Sequence, residues 1–83
     1  MLKNMNAMSP DKAGWGYMSL GLMGFEARVN EDGESVSWLY IGTQREQIHR
    51  KAKIYYTAKG RAYFMAYGIR RHLDQFLRYD TAI

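Results

Sequence analysis

The sequence predicts an α+β domain: a small antiparallel sheet of four or five strands, formed by two hairpins, with one or two short helices. Three observations predict it. Residues 23–29 and 35–40 alternate apolar and polar side chains on either side of a turn-forming run. Residues 54–57 and 61–67 repeat that arrangement around a second turn. Two further stretches, near 44–52 and from 74 onward, carry helix-start signals instead. Alternation of this kind sorts side chains onto opposite faces of a strand.

Taken in chain order, residues 1–13 are polar, lack a sustained period and include the one proline, Pro10, so they read as a flexible arm ahead of a single domain over residues 14–83. Extended structure is expected from Tyr17, with Gly14, Gly16, Gly21 and Gly24 permitting curvature or a bulge. Met23, Phe25, Ala27 and Val29 share one face of a strand, and Glu26 and Arg28 the other. Asn30, Asp32 and Gly33 supply turn chemistry, and Val36, Trp38 and Tyr40 then alternate with Ser35, Ser37 and Leu39. Thr43 and Glu46 have capping-box spacing, which predicts a short helix over 44–52 with Ile48 and Ala52 on its thin apolar side. A turn at Ala58, Lys59 and Gly60 closes the second hairpin. Gly68 and Ile69 read as a two-residue turn returning the chain through Arg70 to Leu73, and Asp74 as the cap of a last helix whose face holds Leu73, Phe76 and Leu77.

At 83 residues the chain holds one core, and a domain of this size buries only about 60% of the surface its unfolded form exposes. Twelve aromatic residues, three Phe, seven Tyr and two Trp, are the means of filling it. Homodimerisation is a second means. With no cysteine there is no disulfide, no thiolate metal site and no thiol nucleophile. Residues 13–25 carry no charge but are diluted by four glycines, lack a cleavage pattern and fall short of the roughly 20 residues of a membrane span. No membrane partner is expected, and the expected compartment is the cytoplasm.

The net charge of +4 is unevenly placed. Residues 1–44 carry three cations against five acids, a net of −2, whereas residues 45–83 carry nine cations against three acids, a net of +6. Such a one-sided charge attracts phosphate backbones or acidic protein surfaces. Within the basic half, period two puts Ile54, Tyr56, Ala62, Phe64 and Ala66 on a core-lining face. The opposite face gathers Lys53, Tyr55, Lys59, Arg61, Tyr63 and Tyr67, with Arg70 and Arg71 extending the positive track. Rings interleaved with cations are what a single-stranded nucleic-acid platform requires, since rings stack on bases while ammonium and guanidinium groups neutralise phosphates. These eight residues are the candidate binding site, for DNA or RNA.

The alternative is a protein-interaction module, a small regulator or inhibitor that docks its basic face or a strand edge on a partner. Tyrosine is also a strong strand former, so the same face has a purely structural account. A third reading gives His72, beside Arg70 and Arg71, the role of base in RNA cleavage. Against it, the two histidines lie apart in basic surroundings, no carboxylates pair at a readable spacing and no phosphate-loop lysine follows the glycines. No catalytic residue, metal ligand or cofactor is therefore assigned.

Overall fold

The structure, a computed structural model, describes residues 7–12, 14–42 and 49–79. Its strands are β1 (Gly14–Leu20), β2 (Met23–Val29), β3 (Ser35–Ile41), β4 (Arg50–Lys53), β5 (Tyr55–Tyr56), β6 (Ala62–Ala66), β7 (Ile69–His72) and β8 (Leu77–Arg78). They form a five-stranded antiparallel sheet in the order β4-β3-β2-β1-β8 and a three-stranded antiparallel sheet in the order β5-β6-β7. Among the described residues the helical content is limited to the 3-10 turn Leu73–Gln75 and a 3-10 residue at Tyr79. The domain is thus essentially all-β, which corrects the α+β expectation.

Neither expected helix appears over the described residues. Residues 43–48, with the capping-box pair, lie outside the described residues. Arg50–Lys53, the end of the expected 44–52 helix, instead pairs with β3 as an edge strand, Ala52 opposite Val36 and Lys51 opposite Ser37. At the other end, Leu73 and Phe76 are both buried, and a single tight turn puts them into one core. Leu77 then pairs with Tyr17 in β8. The carboxylate of Asp74 takes up Arg61 instead of capping backbone N–H groups.

The core lies between the two sheets. From the large sheet come Met18, Phe25, Ala27, Val29, Val36 and Trp38, and from the small one Ala62, Phe64 and Ala66, with Ile54, Leu73 and Phe76 closing the sides. Phe25 and Phe64 both meet the Trp38 ring, at 5.7 and 6.2 Å between centroids. The alternation read at residues 23–29, 36–40 and 62–66 is the alternation observed. The turn at 30–34 also forms as its residues dictate: the Asp32 carboxylate accepts from the backbone N–H groups of Glu34 and Ser35, and Gly33 takes a positive φ. Leu39, on the outward side of β3, is nevertheless buried. That side carries an aromatic layer of its own, in which Trp15 meets His49 and Tyr17 stacks on Tyr79.

Two stretches differ from the arm-and-turn reading. Of the expected arm, residues 7–12 are described, and its start is packed: Met8 is 2% exposed, its N–H donates to the Phe76 carbonyl, and Ala7 bridges to Leu77, while Asp11 and Lys12 are exposed. Gly16 makes room for it, since a Cβ there would lie 2.7 Å from the Met8 Cγ.

The turn between β6 and β7 falls one residue earlier than expected, at Tyr67 and Gly68, whose φ angles of 54° and 75° are those of a type I′ turn. That shift has a large effect on side-chain placement. Tyr67 leaves the outward row of β6, and its ring packs against Phe25, Trp38 and Tyr40. Because a β-branched residue tolerates positive φ least, Gly68→Val is expected to lower stability by about 1–2 kcal/mol, read as a fall in the urea midpoint. An unchanged midpoint would argue against this turn type.

Candidate nucleic-acid interface

The outward face of the three-stranded sheet is set by register. Tyr63, at the centre of β6, pairs with Tyr55 on one side and His72 on the other, so three rings form a row across the strands. Their centroids are 5.8 Å apart for Tyr55 and Tyr63, which stack, and 5.7 Å apart for Tyr63 and His72, which are tilted. Met65 opposite Arg70 forms the next row. Inward on the same strands lie Ala62, Phe64 and Ala66, all buried, so the core holds the row from behind.

Cations border the rings. The Arg70 guanidinium lies 4.6 Å from the Tyr63 centroid, and the Lys53 ammonium 5.7 Å from that of Tyr55, both within cation–π range. Lys59 is exposed in the β5–β6 turn, where the Thr57 N–H donates to the Arg61 carbonyl and the Gly60 N–H to that of Thr57. Arg61 is engaged: its Nε and Nη2 each donate at 2.7 Å to the two carboxylate oxygens of Asp74. Its charge is matched locally.

Two of the eight expected residues face the other way. Tyr67 belongs to the aromatic cluster between the sheets, half-exposed at its rim. Arg71 pairs with inward-facing Phe64, and its guanidinium lies 4.7 Å from the Phe25 centroid, with Nε buried and no hydrogen-bond partner. The structure therefore brings together Lys53, Tyr55, Tyr63 and Arg70, with Lys59 and Arg61 at the turn end. It adds His72 as a third ring. The sequence signal for His72 was strand parity with Arg70; the turn at Tyr67 and Gly68 is what sets it directly opposite Tyr63.

The electrostatics of the row follow from its surroundings. Burial lowers the His72 pKa below its ordinary 6.5, the Arg61 and Arg70 charges lower it further, and Asp74 opposes them. The hydrogen bonds from Arg61 hold the Asp74 carboxyl below the ordinary 3.8 and raise the Arg61 guanidinium in turn. Near neutral pH, His72 is thus an uncharged ring.

Stability should respond accordingly. Below 6.5 the unfolded chain protonates its imidazole while the folded chain resists, so the unfolded state binds more protons and stability declines as pH falls towards the lowered value. Asp74 and Asp32, both lowered from 3.8, add a further decline under more acid conditions. Urea midpoints are expected to drop between neutral pH and about pH 5, with a shallower drop in His72→Phe; equal slopes in both proteins would contradict this account.

Other groups contribute little chemistry. His49 Nε2 lies 3.8 Å from a Glu26 carboxylate oxygen on the far side of the large sheet, well separated in the fold from His72. No group of three His, Asp or Glu residues able to hold a metal occurs among the described residues. No described helix is long and apolar enough to cross a membrane. No protein-family model matches the chain, and neither a curated protein nor a solved structure matches it.

Proposed function

We propose that the protein is a non-catalytic nucleic-acid-binding accessory protein that holds unpaired DNA or RNA on the outward face of β5, β6 and β7. The observation that carries this reading is the row Tyr55, Tyr63 and His72, bordered by Lys53 and Arg70 and backed by a rigid core. Tyr55 is 45% exposed. Neighbouring aromatic rings can stack on unpaired bases, and the Arg70 guanidinium offers a further plane for stacking beside Tyr63.

Fluorescence anisotropy with labelled single-stranded DNA and RNA tests it. Three neutralised phosphates, at Lys53, Lys59 and Arg70, imply that affinity falls roughly twentyfold between about 50 mM and about 200 mM salt. Absence of binding at the lower salt would remove the proposal.

A second reading, a protein-interaction module, is supported by a different feature. The β1–β2 hairpin presents Leu20, Leu22 and Met23 to solvent at its tip, with Leu22 94% exposed, and exposed apolar clusters of this kind mark contact surfaces. A pull-down distinguishes the two. One stoichiometric protein retained after nuclease treatment favours the module; material stripped by nuclease favours the nucleic-acid platform.

A further inference from the structure

A hollow of about 280 Å³ opens where the N-terminal segment, the β5–β6 hairpin and the 3-10 turn converge. Its floor is apolar, from Met8, Ala62 and Leu73, all buried. Tyr56, 57% exposed, stands at its lip. The mouth is polar: it holds Ser9 and the Arg61–Asp74 pair. Each Asp74 oxygen takes one N–H from Arg61 and keeps lone-pair capacity for another donor.

Resting on the nucleic-acid reading above, we infer that this hollow is a nucleobase subsite, which receives one base of the single strand held on the Tyr55–Tyr63–His72 row. Tyr55 and Tyr56 are consecutive residues of an edge strand, so one ring faces the row and the other the hollow. A strand leaving the row turns round this edge, past Lys59 next to Gly60 at the hollow's wall. The ligand class follows from the lining. A base combines an apolar face, which suits Tyr56 and the floor, with an edge of donors and acceptors, which suits the accepting Asp74 carboxylate and the further N–H groups of Arg61. The Ser9 hydroxyl donates to Asp11 and keeps an accepting oxygen. A phosphate would meet the Asp74 carboxylate, and an aliphatic group would leave the polar mouth unpaired.

The test uses single-stranded oligonucleotides of about six residues in which one abasic position is moved along the strand, titrated against the native protein, Tyr56→Ala and Tyr56→Phe. One position is expected to weaken native binding roughly tenfold when abasic. That penalty should vanish in Tyr56→Ala, which itself binds roughly tenfold more weakly, and return in Tyr56→Phe. Independently of any variant, a nucleoside monophosphate should shift the Ala62 and Leu73 methyl resonances of the native protein. Equal abasic penalties in native protein and Tyr56→Ala overturn the inference, as do shifts confined to Tyr63 and His72. Either of those results leaves the platform standing, whereas failure of the native protein to bind any single strand removes the platform itself.

Discussion

Phe64→Ala is expected to cost about 3–5 kcal/mol and to leave the protein partly or wholly unfolded at physiological temperature. Phe64 is fully buried at the centre of the small sheet, and its ring meets Trp38 of the large sheet and Phe76 beyond the 3-10 turn, at 6.2 and 5.7 Å between centroids. Truncation removes the side chain common to all three units and opens a cavity that a sheet on each side cannot collapse to fill. For a domain of this size the thermal midpoint should fall by more than about 12 °C. Leu22→Ala is the matched control. With its side chain almost wholly in solvent, that change should move stability by no more than about 0.5 kcal/mol. Calorimetry or urea denaturation reads both, and a Phe64→Ala midpoint close to that of Leu22→Ala would refute the packing described.

The second large effect concerns binding. Tyr63→Ala with Arg70→Ala should reduce single-strand affinity on the order of a hundredfold at low salt, combining a lost stacking surface with a lost phosphate partner. Tyr63 is the middle ring, so its removal also separates Tyr55 from His72. Arg70 and Arg71 supply the sharper comparison. They are adjacent in β7 and face opposite ways, Arg70 over Tyr63 and Arg71 over Phe25. Arg70→Ala should therefore weaken binding and flatten its salt dependence while sparing the urea midpoint. Arg71→Ala should do the reverse, since it strips a guanidinium from the core boundary. Equal losses of affinity from the two substitutions would mean that binding follows net charge and not the ordered face.

Much of this architecture was legible in local pattern. Phe25, Ala27 and Val29, then Val36, Trp38 and Tyr40, face the core as their alternation requires, and Ile54, Ala62, Phe64 and Ala66 line it from the other side. β1 was harder to read because Gly14 and Gly16 occupy two of its inward positions, where an apolar signal would otherwise stand. The edge strand β4 offers a single inward apolar residue, Ala52, and so imitates a polar helix. Two-residue strands such as β8 exist through long-range pairing that no short window contains. For the site, the limiting detail was the turn. The turn position at Tyr67 and Gly68 decided that Tyr67 leaves the outward row and that His72 pairs with Tyr63, whereas Arg71 faces inward by strand parity in either register, opposite Phe64 or Ala66.

The passage from Lys53 through Ile54 to Tyr55 has a mechanical consequence. One residue separates β4, an edge strand of the large sheet, from β5, the first strand of the small one, and that residue is buried, with its N–H donating to the Glu34 carbonyl at 2.9 Å. Neither layer can slide or peel away without extracting Ile54 and breaking this bond. The two layers are accordingly expected to melt as one cooperative unit, with tryptophan fluorescence from the large sheet and tyrosine signals from the small sheet tracing coincident transitions.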